Sequence, residues 1–184
     1  DGLVFEDRVD LFGVTEQAVS APPRFYVEGY ALPAAAPGGL AASTRAALGA
    51  MGLKDSGFSV EFRGERVIEV NGRLGEDAGF PDLFRAATGE YPILTWLRGD
   101  ARPSRVAGGH ALAYLNRYEP GVVASVSVPE GVTAVVAPGD RIAEPGTEDF
   151  SPHLAYALAS EPAGGRAALA AARRRLAGAR IVVR

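Results

Sequence analysis

The sequence predicts an α+β chain, with an antiparallel sheet and helices over residues 1–100 and a small β-rich module with one helix over residues 101–184. Three observations carry this expectation. Residues 58–63 and 67–71 form two alternating runs around a short Gly-containing turn, the strongest strand-pair signal in the chain. Alanine-rich stretches at 40–51 and 163–177 read as helices, the first with apolar residues near the helical period of about 3.6. Beyond residue 101, four apolar runs separated by turns rich in Gly and Pro read as antiparallel strands.

Composition narrows the chemistry. The chain has 184 residues, 47% apolar and 22% charged, and 19 basic against 22 acidic side chains give a formal charge of −3. At roughly 150 residues per domain this is one domain or one and a fraction, enough to bury about 70% of the extended surface without staples. Cysteine is absent, which excludes disulfides, thiolate nucleophiles and cysteine-ligated metal sites. The two histidines, His110 and His153, lie far apart in sequence and read as structural, which argues against a His-dependent triad or a His-rich metal site. Lys54 is the one lysine beside eighteen arginines, and Asp55 follows it, so the chain carries no G-x-x-x-x-G-K-[ST] phosphate loop. Mild acidity and scattered arginines leave no concentrated basic surface, so no nucleic-acid partner is expected. Without a signal-like segment or an uncharged apolar run of about 18 residues, the chain reads as soluble and cytoplasmic, with no membrane partner. It opens at Asp1 in what looks like the middle of a hairpin, so it is expected to be a fragment whose N-terminal part is missing.

In order along the chain, Leu3 to Phe5 and Val9 to Val14 are short apolar runs around Glu6-Asp7-Arg8 and predict a hairpin. Ser20 to Gly39 carries Pro22, Pro23, Pro33 and Pro37 with paired glycines, which predicts a surface loop holding a short strand at Phe25 to Val27. Leu40 to Met51 is the first helix, packed on a sheet through Leu40, Ala47, Leu48 and Met51 and ended by Gly52. After the strand pair, Gly72 to Gly79 is a loop, Pro81 suits the first turn of a helix that stops at Gly89, and another helix follows Pro92. The four later runs are Ala111 to Leu115, Val122 to Val128, Val132 to Val136 and Leu154 to Ala159, with a helix over Ala163 to Ala177 and an edge strand at Arg180 to Val183. Arg173, Arg174 and Arg175 read as a solvated helix end, with an anion or partner contact as the alternative. Trp96 and Tyr114 are core candidates or pocket walls.

The chemistry concentrates in Ser59 to Arg73. Side chains alternate along a strand, so Ser59, Glu61 and Arg63 share one face, and Val67, Glu69 and Asn71 another. The polar sets meet only if opposed residue numbers sum to 130, which pairs Glu61 with Glu69 and Ser59 with Asn71 and requires an odd turn such as Gly64-Glu65-Arg66. Two carboxylates about 5 Å apart repel by roughly 3 kcal/mol at an effective dielectric near 20. Hard oxygen donors without Cys or His suit Mg²⁺ or Mn²⁺, with Asn71 as a neutral oxygen ligand. Arg73 falls on the same side if the strand continues, its planar fork suits phosphate, and the glycine-rich loop lets backbone amides approach an anion. A solvated sheet face, with the glutamates beside Arg63 and Arg66, is the plainer alternative.

This segment resembles the metal-binding signature of the ATP-grasp carboxylate-amine ligases. Val60-Glu61-Phe62, then Ile68-Glu69-Val70-Asn71-Gly72-Arg73-Leu74-Gly75, then Pro81-Asp82-Leu83 through Ala87-Thr88-Gly89 follow the family's order. The resemblance implies that residues 1–100 are the C-terminal part of an ATP-grasp fold, and the tail is similar to the terminal module of L-amino-acid ligases. It also implies that Glu61, Glu69 and Asn71 hold the Mg²⁺ (or Mn²⁺) of bound ATP, while Arg73 contacts phosphate and an acyl-phosphate intermediate. Gly72 stands where proline is frequent, and Glu76 where the family often has a second glycine. The family's nucleotide-contacting lysines and adenine hinge precede these elements, and Lys54 fits neither role.

The activity so implied is an amide bond made between a carboxylate, expected to be an amino acid, and an amine. The partners are then those two small molecules and the missing N-terminal part, with a homodimer among the options. One alternative keeps the fold with another acceptor, as in biotin-carboxylase or purine-biosynthesis relatives. The other is a non-catalytic fragment or assembly module, and the isolated chain is expected to be inactive.

Overall fold

The computed structural model describes residues 1–5, 8–36, 38–98, 106 and 108–184. The expected turn at Glu6 and Asp7, Pro37 of the expected loop and the expected boundary between residues 100 and 101 lie outside them. In chain order the elements are β1 (Gly2–Val4), β2 (Val9–Leu11), β3 (Glu16–Val19), β4 (Val27–Leu32), α1 (Leu40–Ala50), β5 (Ser56–Arg63), β6 (Arg66–Asn71), α2 (Phe80–Thr88) and α3 (Pro92–Arg98). They continue as β7 (Gly109–Asn116), β8 (Gly121–Ser127), β9 (Val132–Ala134), β10 (Arg141–Ile142), β11 (His153–Glu161), α4 (Gly165–Leu176) and β12 (Arg180–Val183). The chain separates into two compact units, residues 1–15 with 33–107, and residues 16–32 with 108–184.

In the first unit the sheet order is β2-β1-β5-β6, all antiparallel. Alternation along β5 turns Phe58 and Val60 to one face, where they gather with Val4 and Val70 against Leu48 of α1. Leu40, Thr44 and Leu48 are the buried positions of α1, spaced four apart so that they stack on one helix face. Met51, expected among them, is exposed, because the helix ends at Ala50. Helix α2 buries Phe80, Leu83, Phe84 and Ala87, and Phe84 meets the Phe12 ring with centroids 6.1 Å apart. Tyr91 hydroxyl donates to Asp82 Oδ1 at 2.9 Å and accepts from Arg85 Nη1 at 2.8 Å, which ties the start of α3 to α2.

The second unit corrects the expected surface loop from Ser20 to Gly39. β3 and β4 form a hairpin across Pro22 and Pro23, and β4 continues the sheet in the order β3-β4-β7-β11-β9. The strand therefore lies beyond Phe25, which adopts a left-handed φ of 54°, and its residues Gly29 to Leu32 are buried. Pairing of β4 with β7 is also what places residues 16–32 with the C-terminal module instead of with residues 1–100. Helix α4 covers β7 and β11, and the interface is made from small side chains: Ala113, Ala155, Ala157, Ala159, Ala171 and Ala172 form one buried cluster with Leu176. Gly109 lies so close to the helix start that a Cβ there would stand 1.9 Å from the carbonyl carbon of Gly164. A second sheet, β10-β8-β12, encloses Val123, Ile142 and Leu154.

The arginines at the end of α4 make contacts within this unit: Arg173 pairs with Glu28 at 3.4 Å, and Arg175 donates to the Leu158 carbonyl. His153 stacks on Tyr114 at 3.8 Å with Nδ1 on Asn116 Oδ1 at 2.8 Å, and His110 Nδ1 meets Ser160 Oγ at 2.9 Å. Both histidines are buried, as a structural role requires. Tyr114 is in the core, whereas Trp96, at 36% exposure, is not.

Candidate functional site

The hairpin β5–β6 places Ser59 opposite Asn71, Val60 opposite Val70 and Glu61 opposite Glu69. The expected register is present, but the expected three-residue turn is not. Arg63 pairs with Arg66 and Phe62 with Val67, so only Gly64 and Glu65 lie in the turn. A two-residue turn alone would set Glu61 opposite Ile68; the register shift between Glu61 and Phe62 leaves Ile68 as the extra, unopposed residue and restores the pairing. Ile68 accordingly points to solvent, 60% exposed. One face of the hairpin is then Val60 and Val70 against α1, and the other is Ser59, Glu61, Glu69 and Asn71.

On that polar face Asn71 Nδ2 donates to Glu69 Oε1 at 2.8 Å, which holds the amide and the carboxylate side by side. The carboxamide oxygen Oδ1 remains its acceptor end. The donors gathered here are two carboxylates and one amide oxygen, all hard, and this set fits a divalent cation that fills its shell with phosphate and water oxygens. Among the described residues no group of three or more His, Asp or Glu side chains is placed to hold a metal ion by itself.

Strand β6 ends at Asn71, so alternation does not govern Arg73. The chain turns at Gly72, whose carbonyl accepts from Ser56 Oγ at 2.9 Å, and Arg73 pairs with Glu76 at 3.3 Å while donating to the Leu74 carbonyl. The Gly75 amide, one of those expected to approach an anion, donates instead to Asp1 Oδ1 at 2.9 Å. Arg73 and Glu76 stand at a cleft of about 360 Å³ between residues 72–76 and the start of α3, with Leu74, Pro81, Pro92, Ile93 and Trp96 among its walls. In the sequence Glu76 stands out only as a departure from the family pattern, and Trp96 reads as core or pocket wall. The signal for Glu76 was its spacing of three from Arg73, within reach of an ion pair.

No protein-family model matches the sequence, and no curated protein sequence matches it. Solved structures do match its fold. L-amino acid ligase from Bacillus licheniformis superposes with a TM-score of 0.76 at 17% identity, over 100% of this chain and 50% of that one. Phosphoribosylglycinamide synthetase from Anaerococcus prevotii gives 0.67 at 13% identity, over 100% and 52%. The biotin carboxylase domain of 2-oxoglutarate carboxylase from Hydrogenobacter thermophilus, a dimer in complex with MgADP, ADP and bicarbonate, gives 0.65 at 16% identity, over 98% and 45%. The fold is therefore that of the C-terminal portion of ATP-grasp enzymes, α+β with antiparallel sheets. The chain spans about half the length of each of these neighbours. No helix among the described residues is long and apolar enough to cross a membrane.

Proposed function

We propose that this chain carries the metal-binding part of an ATP-dependent ligase, which joins a carboxylate, an amino acid, to an amine by way of an acyl phosphate. The observation that carries this reading is the convergence of Glu61, Glu69 and Asn71 on one face of β5–β6, directly followed by Arg73. Glu61 and Glu69 supply the charge, Asn71 a neutral oxygen, and its bond to Glu69 sets both donors in position. Glu61, Glu69 and Asn71 would hold Mg²⁺ or Mn²⁺, and the ion would supply positive charge toward a phosphoryl group in transfer. Arg73 holds the anionic end of the phosphate or of the carboxylate with its planar donors. The protein contributes position and electrostatics, and no nucleophile is needed from this chain.

The first unit is the partial ATP-grasp domain, the second the C-terminal module, and the lysines that contact nucleotide come from sequence upstream, so the isolated chain is inactive. The working site is cytoplasmic. ADP release by the full-length protein on addition of amino acids and amines tests the reading. Glu69→Gln should lower it by at least about 100-fold while the folded state stays unchanged, and full activity in that variant removes the metal assignment. ADP release driven by bicarbonate instead of an amino acid would move the protein to the carboxylase type.

A further inference from the structure

We propose that the open side of β12 takes up an extended acidic segment of a partner protein as a further strand, one that reads acidic, apolar, acidic at alternate positions. The site belongs to the second unit and uses no residue of the hairpin β5–β6. β12 ends the sheet β10-β8-β12 and, among the described residues, pairs with β8 alone. Arg184 commits both backbone groups to Val122, donating its N–H at 3.0 Å and accepting at its carbonyl at 2.8 Å. Alternation then turns the N–H and C=O of Val183 and Ile181 to the open side. Such an edge is a template for strand addition, and an added strand would satisfy these groups.

Side chains select what can be added. Arg180, Val182 and Arg184 are exposed while Ile181 and Val183 are half-buried, so the two arginines and Val182 stand in one outward row. β8 sets Ser127 beside Arg180 and Ser125 beside Val182, and β10 adds Arg141 on the far side of Val122 from Arg184. Among the described residues none of Arg141, Arg180 and Arg184 lies within ion-pair distance of an Asp or Glu carboxylate. The face is basic throughout. A second copy fits it poorly: antiparallel pairing about Val182 would twice oppose Arg180 to Arg184 of the second copy, and like charges directly opposite destabilise a strand pair. A strand with Glu or Asp at those two places makes two opposite-charge pairs instead and sets an apolar residue against Val182. Phosphate or lipid anions would meet the same arginines, but they leave the open backbone groups unused and Val182, 47% exposed, in water.

The test titrates the ¹⁵N-labelled full-length protein with the peptide acetyl-SETVTES-amide and follows the amide resonances of Ile181 and Val183. When its valine meets Val182, its glutamates face Arg184 and Arg180 and its threonines oppose Val183 and Ile181. The charge-reversed acetyl-SKTVTKS-amide should bind at least about tenfold more weakly. So should acetyl-SEPVPES-amide, which keeps the charge but lacks an N–H at the two positions that face the open backbone groups. In the double variant Arg180→Glu with Arg184→Glu the preference between the acidic and the basic peptide should reverse, an outcome that damage to the fold alone would not give. No binding of acetyl-SETVTES-amide by the wild type overturns the proposal and leaves the arginines as guards of the edge against aggregation. Equal binding of either control peptide, or a retained acidic preference in the double variant, overturns it too. Binding of phosphatidylglycerol vesicles in place of the peptide would assign the face to a membrane, with the same consequence.

Discussion

Glu61 and Glu69 face each other across β5 and β6 although the turn joining these strands holds only two residues, and Ile68 is what reconciles the two facts. As the unopposed residue of a bulge it shifts the second strand by one position and turns Glu69 from the apolar face to the polar one. The chemistry of the site depends on that single local irregularity. Bulges are found next to functional sites because they re-aim a side chain without altering the sheet around it.

The two faces of this hairpin differ in their tolerance. Phe58 is 1% exposed beneath α1, and Phe58→Ala should cost about 3–5 kcal/mol in urea unfolding. Ile68→Ser should change stability by no more than about 0.5 kcal/mol, since the side chain is in water. A comparable loss in both variants would mean that Ile68 is packed inward and that the bulge is misplaced.

Backbone contact sets the start of α4. Gly109→Ala puts a methyl into the Gly164 carbonyl carbon, where no side chain can rotate away, so β7 or the helix must move. The expected cost is about 3 kcal/mol, toward the upper end of what overpacking produces, measured by thermal or denaturant unfolding. Wild-type stability in Gly109→Ala would show that α4 does not approach β7 this closely.

The alanine interface of α4 makes a paired prediction. Ala172 is fully buried against β7 and β11, while Ala170, two residues earlier, is exposed. Ala172→Leu should destabilise by about 1–3 kcal/mol, and Ala170→Leu by no more than about 0.5 kcal/mol. Reversed costs would rotate the helix from the orientation described.

Much of this was legible from residue types, and the exceptions have physical causes. Strict alternation in Ser59 to Asn71 identified both faces and the Glu61–Glu69 pairing, because only one register hides Val60 and Val70 together. It did not reveal how the register is reached: a three-residue turn and a two-residue turn with a bulge satisfy the same alternation at a distance from the turn. β4 was hidden by the prolines and paired glycines of residues 20–39, which read as a loop that takes in Gly29. In the fold Gly29 stands in mid-strand because a Cβ would lie 2.4 Å from the Leu112 carbonyl oxygen. That requirement comes from β7, more than 80 residues later in the chain, and no local pattern announces it. Glu76 carries one weak local signal, its spacing of three from Arg73, and the turn at Gly72 is what brings the two together.

The central relationship is tested most directly by adding Mn²⁺ to the ¹⁵N-labelled protein and following paramagnetic broadening of backbone resonances. Two carboxylates and an amide converging on one cation predict broadening centred on Ser59 to Glu61 and Glu69 to Asn71, weakened at least about tenfold in Mn²⁺ concentration by Glu69→Gln. Broadening spread over unrelated acidic surface such as Asp140 and Glu144, with the hairpin signals left sharp, would contradict it.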